Sequence, residues 1–337
     1  MAGSLHHSGS LDVLLPSGKS KQVPWLVDAV PASPGGPRLA VCLMHGASGG
    51  ASSGHLPALA AAVVSAGWPC LRFTCKGGSV EHRAEVCKAV LAHATSLPGL
   101  ASVRSWVLAG HSMGARVACT VAEQQQEVEQ DRLQEAPGLP PAAAVMLFSY
   151  PLHPPGKPDQ LRDALLTRLQ LPALLVRGTR DPFSQQALWD ATLARLGCPR
   201  WEQHVVQGGD HALRCGAAGG GSDAAMGAVA DSVRRFLLDI AAAAGEQQAK
   251  RGQNARRHEN AQPAVPEGSS PAGPQKWRRT EQETRTGKRG STAAQQQQQP
   301  GRAARGKRKE PAADAGETGR QPAAGSDAVP RSSRRRK

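Results

Sequence analysis

The stretch Trp106-Val107-Leu108-Ala109-Gly110-His111-Ser112-Met113-Gly114-Ala115-Arg116-Val117-Ala118-Cys119 decides how the rest of the chain is read. Four apolar residues run into Gly-x-Ser-x-Gly, and small and apolar residues follow at helical spacing. This order predicts a strand, a sharp turn and a helix, with Ser112 at the apex. So tight a turn strains the Ser112 backbone and crowds its neighbours, which accounts for Gly110 and Gly114. Its product is a hydroxyl held above a sheet edge, at a helix N-terminus. The pentapeptide alone is common, and a serine there is often a plain helix cap. The strand before it and the helix after it give it weight.

Outward from this turn, strands and helices alternate. Leu11 to Leu15 and Val23 to Val30 read as a short hairpin around Pro16-Ser17-Gly18-Lys19. Leu39 to Met44 is apolar throughout, as befits a central strand buried on both faces. It breaks into His45-Gly46-Ala47-Ser48-Gly49-Gly50. A helix is predicted from Leu56 to Ala66, a strand from Trp68 to Phe73 and a helix from Glu81 to Thr95. On the C-terminal side, the helix after Ser112 is predicted to end near Gln125, and Gln124 to Pro141 reads as an inserted surface loop. Ala142 to Ser149 and Leu171 to Arg177 have strand patterns, with a loop at Tyr150–Pro158 and a helix at Asp159–Leu169 between them. A helix at Ser184–Leu196, a strand at Trp201–Val206 and an amphipathic helix at Asp223–Ala244 complete the series. Strands and helices at this spacing predict an α/β fold, a doubly wound and mostly parallel sheet. A site would then lie at the C-terminal ends of the strands.

Charge divides the chain of 337 residues. Residues 245–337 hold 21 of its 41 Lys and Arg but only 9 of its 27 Asp and Glu. Residues 1–244 are therefore near neutral and long enough for a large core. Residues 245–337 have one aromatic residue, Trp277, and a glutamine run from Gln295 to Gln299. They read as a disordered, basic, low-complexity tail that cannot bury enough apolar surface to offset its ordering entropy. All seven cysteines fall in the front part without a C-x-x-C pair, which predicts reduced, mostly buried thiols. The first residues show no secretory pattern and no stretch is long enough to span a membrane, so an intracellular, soluble protein is expected.

Three residues in the order Ser, acid, His each follow a predicted strand. Ser112 follows Trp106–Ala109. Asp181 follows Leu174-Leu175-Val176-Arg177 through Gly178-Thr179-Arg180, and His211 follows Trp201–Val206 through Gly208-Gly209-Asp210. Taken singly, Asp181 before Pro182 is a turn residue and His211 a surface histidine. Together they have the chain order of an α/β-hydrolase triad. A serine hydroxyl is a poor nucleophile until an imidazole takes its proton, and a carboxylate must hold that imidazole in one tautomer. Asp210 and Asp223 are rival acids; Asp210, as the immediate neighbour of His211, is expected to point away. The oxyanion donors are expected to be the N–H of Met113 and that of Ala47, with Ser48 as the alternative. His45 and Gly46 support that loop, and His111 and His153 are candidate pocket residues. No metal or cofactor enters this chemistry. Residues 150–170 are the only candidate lid, so little cap is expected and the site should be open.

Four strings carry a resemblance: Met44-His45-Gly46-Ala47-Ser48-Gly49, Leu71-Arg72-Phe73-Thr74-Cys75-Lys76-Gly77, Gly110-His111-Ser112-Met113-Gly114-Ala115-Arg116 and Ser149-Tyr150-Pro151-Leu152-His153. Over roughly residues 10–240 the chain resembles the α/β-hydrolase-like family of the testis-expressed hydrolase-like protein and a subunit of the NSL histone-acetyltransferase complex, related in fold to dienelactone hydrolases. The resemblance implies a hydrolase fold and, by position, a triad of Ser112, Asp181 and His211. It implies no substrate.

Two functions follow as expectations. One is a serine hydrolase acting on a small ester- or thioester-type acyl substrate. The other is a non-catalytic hydrolase-fold interaction protein of a nuclear, chromatin-associated complex. The basic clusters at Arg305–Lys309 and Arg334–Lys337 suit nuclear import, or contact with nucleic-acid phosphates or acidic proteins without sequence reading. With these clusters, a cytoplasmic and/or nuclear location is expected.

Overall fold

The computed structural model describes residues 5–30, 38–131, 139–216 and 221–260. The basic clusters, the glutamine run and the rest of the tail from 261 lie outside the described residues.

Eight strands form one sheet: β1 (Leu5–Leu14), β2 (Ser20–Ala29), β3 (Leu39–Met44), β4 (Cys70–Phe73), β5 (Ser105–His111), β6 (Ala142–Phe148), β7 (Ala173–Gly178) and β8 (Trp201–Val206). Their spatial order is β1-β2-β4-β3-β5-β6-β7-β8. Every neighbouring pair from β4 to β8 is parallel, and β2 alone runs against the others. The helices are α1 (Leu56–Ser65), α2 (Val80–His93), α3 (Met113–Asp131), α4 (Ala164–Thr167), α5 (Gln186–Leu193) and α6 (Ser222–Asn260). This is the α/β-hydrolase fold, a mostly parallel sheet flanked by helices.

The apolar strands are buried twice over. Ala40, Cys42 and Met44 of β3 enter a core with α2, α3 and Trp189 of α5. Leu39, Val41 and Leu43, alternating with them, enter a second core with α1 and the Val229–Ile240 part of α6. Period-two alternation has no polar member here because both faces are covered. Seven free cysteines occur, six of them buried. Burial pushes the Cys70 and Cys119 thiols well up, which leaves them unreactive. No helix among the described residues is long and apolar enough to cross a membrane.

Four element readings need correction. The hairpin strands begin earlier than their apolar cores suggest, at Leu5 and Ser20, and pair through ten residues each. The stretch read as a loop from Gln124 is helical as far as Asp131. Its Gln and Glu residues are good helix formers without apolar periodicity, and Gln125 also accepts the Ala142 N–H at 3.0 Å. The helix expected over Asp159–Leu169 shrinks to Ala164–Thr167. Ahead of it, the N–H of Arg162 is spent on Leu152 O and its carbonyl on the Tyr150 hydroxyl. The last helix continues past Ala244 to Asn260.

Candidate active site

Ser112 sits between β5 and α3 at φ 55°, one of three non-glycine residues with positive φ among those described. Two glycines make this turn possible. A Cβ on Gly110 would lie 2.2 Å from the Gly114 carbonyl carbon, and one on Gly114 would lie 2.4 Å from Met44 O. Both approaches are to backbone, which cannot move aside. The Ser112 N–H donates to Phe148 O at 2.9 Å, fixing the turn against the end of β6.

Asp181 and His211 come together because the ends of β7 and β8 are fastened to one another. A Cβ on Gly178 would stand 2.2 Å from Gly209 O. Thr179 N donates to Val206 O and Arg180 N to Gly209 O, while Gly208 N donates to the Thr179 hydroxyl. Across this seam His211 Nδ1 lies 2.9 and 2.8 Å from the two Asp181 carboxylate oxygens. Its Nε2 lies 2.8 Å from Ser112 Oγ. The carboxylate of Asp181 is fully buried, and the Phe183 ring covers His211 at 4.1 Å. The Phe183 N–H donates to Asp181 Oδ1 as well. A carboxylate can only accept here, so Nδ1 carries the proton and Nε2 is left as the acceptor for the serine hydroxyl. Such a series can draw a proton from the serine.

The rival acids stand elsewhere. Asp210 accepts from the N–H groups of Ala212 and Arg214 and pairs with the Arg214 guanidinium, which makes it the former of the turn rather than the partner of His211. Asp223 lies in the first turn of α6.

Ala47 stands in the loop after β3, beside the elbow: a Cβ on the preceding Gly46 would lie 3.5 Å from Ser112 Cβ. Neither the Ala47 nor the Met113 N–H has a hydrogen-bond partner among the described residues. Both amides are thus available to an anion, and that of Met113 is the first of α3, where the helix dipole adds to it. His45 is buried and braces the loop. It accepts the Cys75 N–H at Nε2 and donates from Nδ1 to Gly46 O, 2.7 Å away. Burial, chiefly, holds it below the ordinary histidine pKa, which suits a neutral brace. An open groove lined by Pro24, Ala47, Ser48, Thr74 and Lys76 runs alongside. Among the described residues no cluster of His, Cys, Asp and Glu is set to hold a metal ion.

Residues 37–238 match the alpha/beta hydrolase domain, more than half of the chain. The chain belongs to the alpha/beta hydrolase family. Its fold is similar to that of Est1E from Butyrivibrio proteoclasticus, with 16% identity, 70% of this chain and 100% of that one covered, and a TM-score of 0.52. It is similar also to dienelactone hydrolase from Anabaena variabilis, at 14% identity, 69% and 98% coverage and a TM-score of 0.50. An esterase from Pyrococcus furiosus matches at 14% identity, 69% and 91% coverage and 0.50.

This hydrolase holds its site with residues that sequence reasoning did not single out. Arg83 of α2, buried, donates to the carbonyls of Gly46, Ala47 and Gly77. Arg72 of β4 takes Asp28 with two nitrogens and Ala51 O with a third. Thr74 accepts the Ala51 N–H. The string Leu71–Gly77 is therefore the scaffold of the Ala47 loop. His153 is fully buried. It accepts the Gln185 N–H and its own N–H donates to Phe183 O, so it steadies the Asp181 loop. Within the 150–170 segment Leu152, Leu166 and Leu169 are sunk in the core, which anchors both of its ends. No local pattern announces these roles; nearly all depend on a partner far away in the chain.

Proposed function

We propose that this hydrolase is a serine hydrolase acting on a small ester- or thioester-type acyl substrate. Ser112 attacks the acyl carbon as His211 Nε2 takes its proton. Asp181 holds the imidazole and stabilises its cation, and the N–H groups of Ala47 and Met113 receive the developing oxyanion. The His211 proton then passes to the departing alcohol or thiol, leaving an acyl group on Ser112. Water repeats the sequence to release the acid. The observation that carries this reading is the placement of His211, 2.8 Å from Ser112 Oγ and 2.8 Å from Asp181 Oδ2.

The open groove beside Ala47 supports an accessible substrate. The finer resemblance, to the testis-expressed and NSL-complex branch, rests on the four strings alone and adds no substrate. An interaction role in a nuclear complex would draw on the tail, and no observation within the described residues favours it. The basic clusters remain proposed contacts for phosphates or acidic proteins.

A series of p-nitrophenyl esters and acyl thioesters of increasing chain length tests the reading. Turnover that falls by about 10³-fold or more in Ser112→Ala, with the fold intact, supports it. Turnover unchanged by that substitution sinks it.

A further inference from the structure

Two consecutive residues grip one histidine at both ends. Ser112 Oγ meets the His211 ring at Nε2, and His111, the last residue of β5, meets the His211 backbone. His111 Nε2 lies 2.8 Å from His211 O, and a carbonyl only accepts, so Nε2 carries the hydrogen. From the other side His55, which precedes α1, donates from Nδ1 to Ala212 O at 3.2 Å. The rings of His55 and His111 meet edge to face, with centroids 4.5 Å apart. The ring centroids of His111 and His211 are 5.2 Å apart.

We infer that His111 and His55 are positioning residues that clamp the His211–Ala212 backbone so that the general base moves with the nucleophile strand rather than with its own loop. This rests on the serine-hydrolase reading. The physical need is plain. Asp181 fixes only the ring of His211, whereas the turn bearing it otherwise hangs from β8 and its seam with β7. A displacement of about 1 Å between base and hydroxyl costs on the order of 10²-fold in rate. Donation to residue 211 itself from the residue before the nucleophile couples the two directly.

The clamping rings bond to backbone carbonyls and take no part in the proton transfer. His55 Nε2 is buried and has no partner, so a proton there would have nothing to donate to. Burial, chiefly, lowers the pKa of both His55 and His111. Of the three rings, His211 alone faces a carboxylate at hydrogen-bond distance. The proton leaving Ser112 passes to His211, whose Nε2 lies within hydrogen-bond reach of its hydroxyl.

The donors sit at different ring positions, which makes the test specific. Glutamine places an N–H near the position of Nε2, and asparagine one near that of Nδ1. His111→Gln and His55→Asn should restore what His111→Asn, His111→Ala, His55→Gln and His55→Ala remove. The first readout is the rate of fluorophosphonate labelling, together with kcat and KM on an aryl ester. The clamp predicts about 10-fold slower labelling in the mismatched variants, with kcat lowered and KM little changed, and recovery to within about 3-fold in the matched pair. Equal rates in matched and mismatched variants of the same melting temperature would overturn it. The second readout, amide hydrogen exchange over residues 208–214, needs no activity. Faster exchange in the mismatched variants alone supports the clamp, and unchanged exchange in all of them refutes it. A wild type that exchanges slowly but never labels would defeat the serine-hydrolase reading and, with it, the catalytic purpose of the clamp.

Discussion

Arg83 donates from Nη2 to the carbonyl of Ala47 at 2.9 Å and from Nη1 to that of Gly46 at the same distance. The guanidinium thus holds the backbone of the loop by its carbonyls, and because the peptide is trans and planar the Ala47 N–H points opposite to the Gly46 carbonyl, away from Arg83. No carboxylate pairs with Arg83 among the described residues; carbonyls alone satisfy it. Arg83→Met should lower kcat by about 10- to 100-fold with little change in KM, since a misdirected oxyanion donor loses stabilisation made only in the transition state. Arg83→Lys should recover little, because an ammonium cannot reproduce three diverging donors. Steady-state kinetics on an aryl ester would check both, and full activity in either variant would contradict the account.

Gly178 has no room for a methyl group. Alanine there would press on the Gly209 carbonyl and separate the two loops that carry Asp181 and His211. Gly178→Ala should destabilise by about 1–3 kcal/mol or more and lose most activity. Gly227, exposed in α6 with nothing within 4 Å of an added Cβ, is the control. Gly227→Ala should stabilise by roughly 0.5–1 kcal/mol. Chemical denaturation of both variants checks the contrast.

Asp181→Asn removes a charge but keeps the shape of the side chain. An amide that donates to His211 Nδ1 would hold the ring in the wrong tautomer, with the proton on Nε2 facing the serine. A loss of about 10³- to 10⁴-fold in kcat with a native melting temperature is the expected outcome. A loss under tenfold would point to a different acid.

Stability should fall as pH is lowered from about 7, and His55 should account for part of the fall. Its surroundings lower its pKa from 6.5 to about 4, by burial first and then by His111 and His211, with the Ala212 carbonyl and Asp210 opposing. As a base depressed in the folded state, it takes up its proton in the unfolded chain first. Its contribution is therefore complete above 6.5 and lost as pH falls toward 4. At pH 5 the loss amounts to about 2 kcal/mol as an upper bound, or roughly 4–8 °C in melting temperature. His55→Asn, which cannot titrate, should show that much less decline between pH 7.5 and 5. His45 and His111, lowered in the same direction, leave a slope in both proteins. Parallel declines would contradict the assignment.

The parts of this molecule legible in its sequence are those written locally. Leu39–Met44 and Trp201–Val206 are strands as read, the first because its apolar run is bounded by loop residues, the second because β-formers meet a glycine turn. Ser112, Asp181 and His211 each sit just past a strand in the expected order, and the structure brings all three together. The supports were not legible. Arg83 lies 36 residues from Ala47, and His111 lies 100 from His211, with only a backbone carbonyl as target in each case. A carbonyl has no identity in a sequence. The Asp159–Leu169 helix failed for the same reason: the backbone of Arg162 is spent on Tyr150 and Leu152, contacts that override helix propensity.

The central claim is that Ser112 is a nucleophile activated by His211. Wild-type protein treated with a fluorophosphonate should gain one adduct, located by peptide mass spectrometry on Ser112. Ser112→Ala should gain none, and His211→Ala should be slower by at least about 10³-fold. A folded wild type that gains no adduct, or one labelled equally well without His211, would contradict the account.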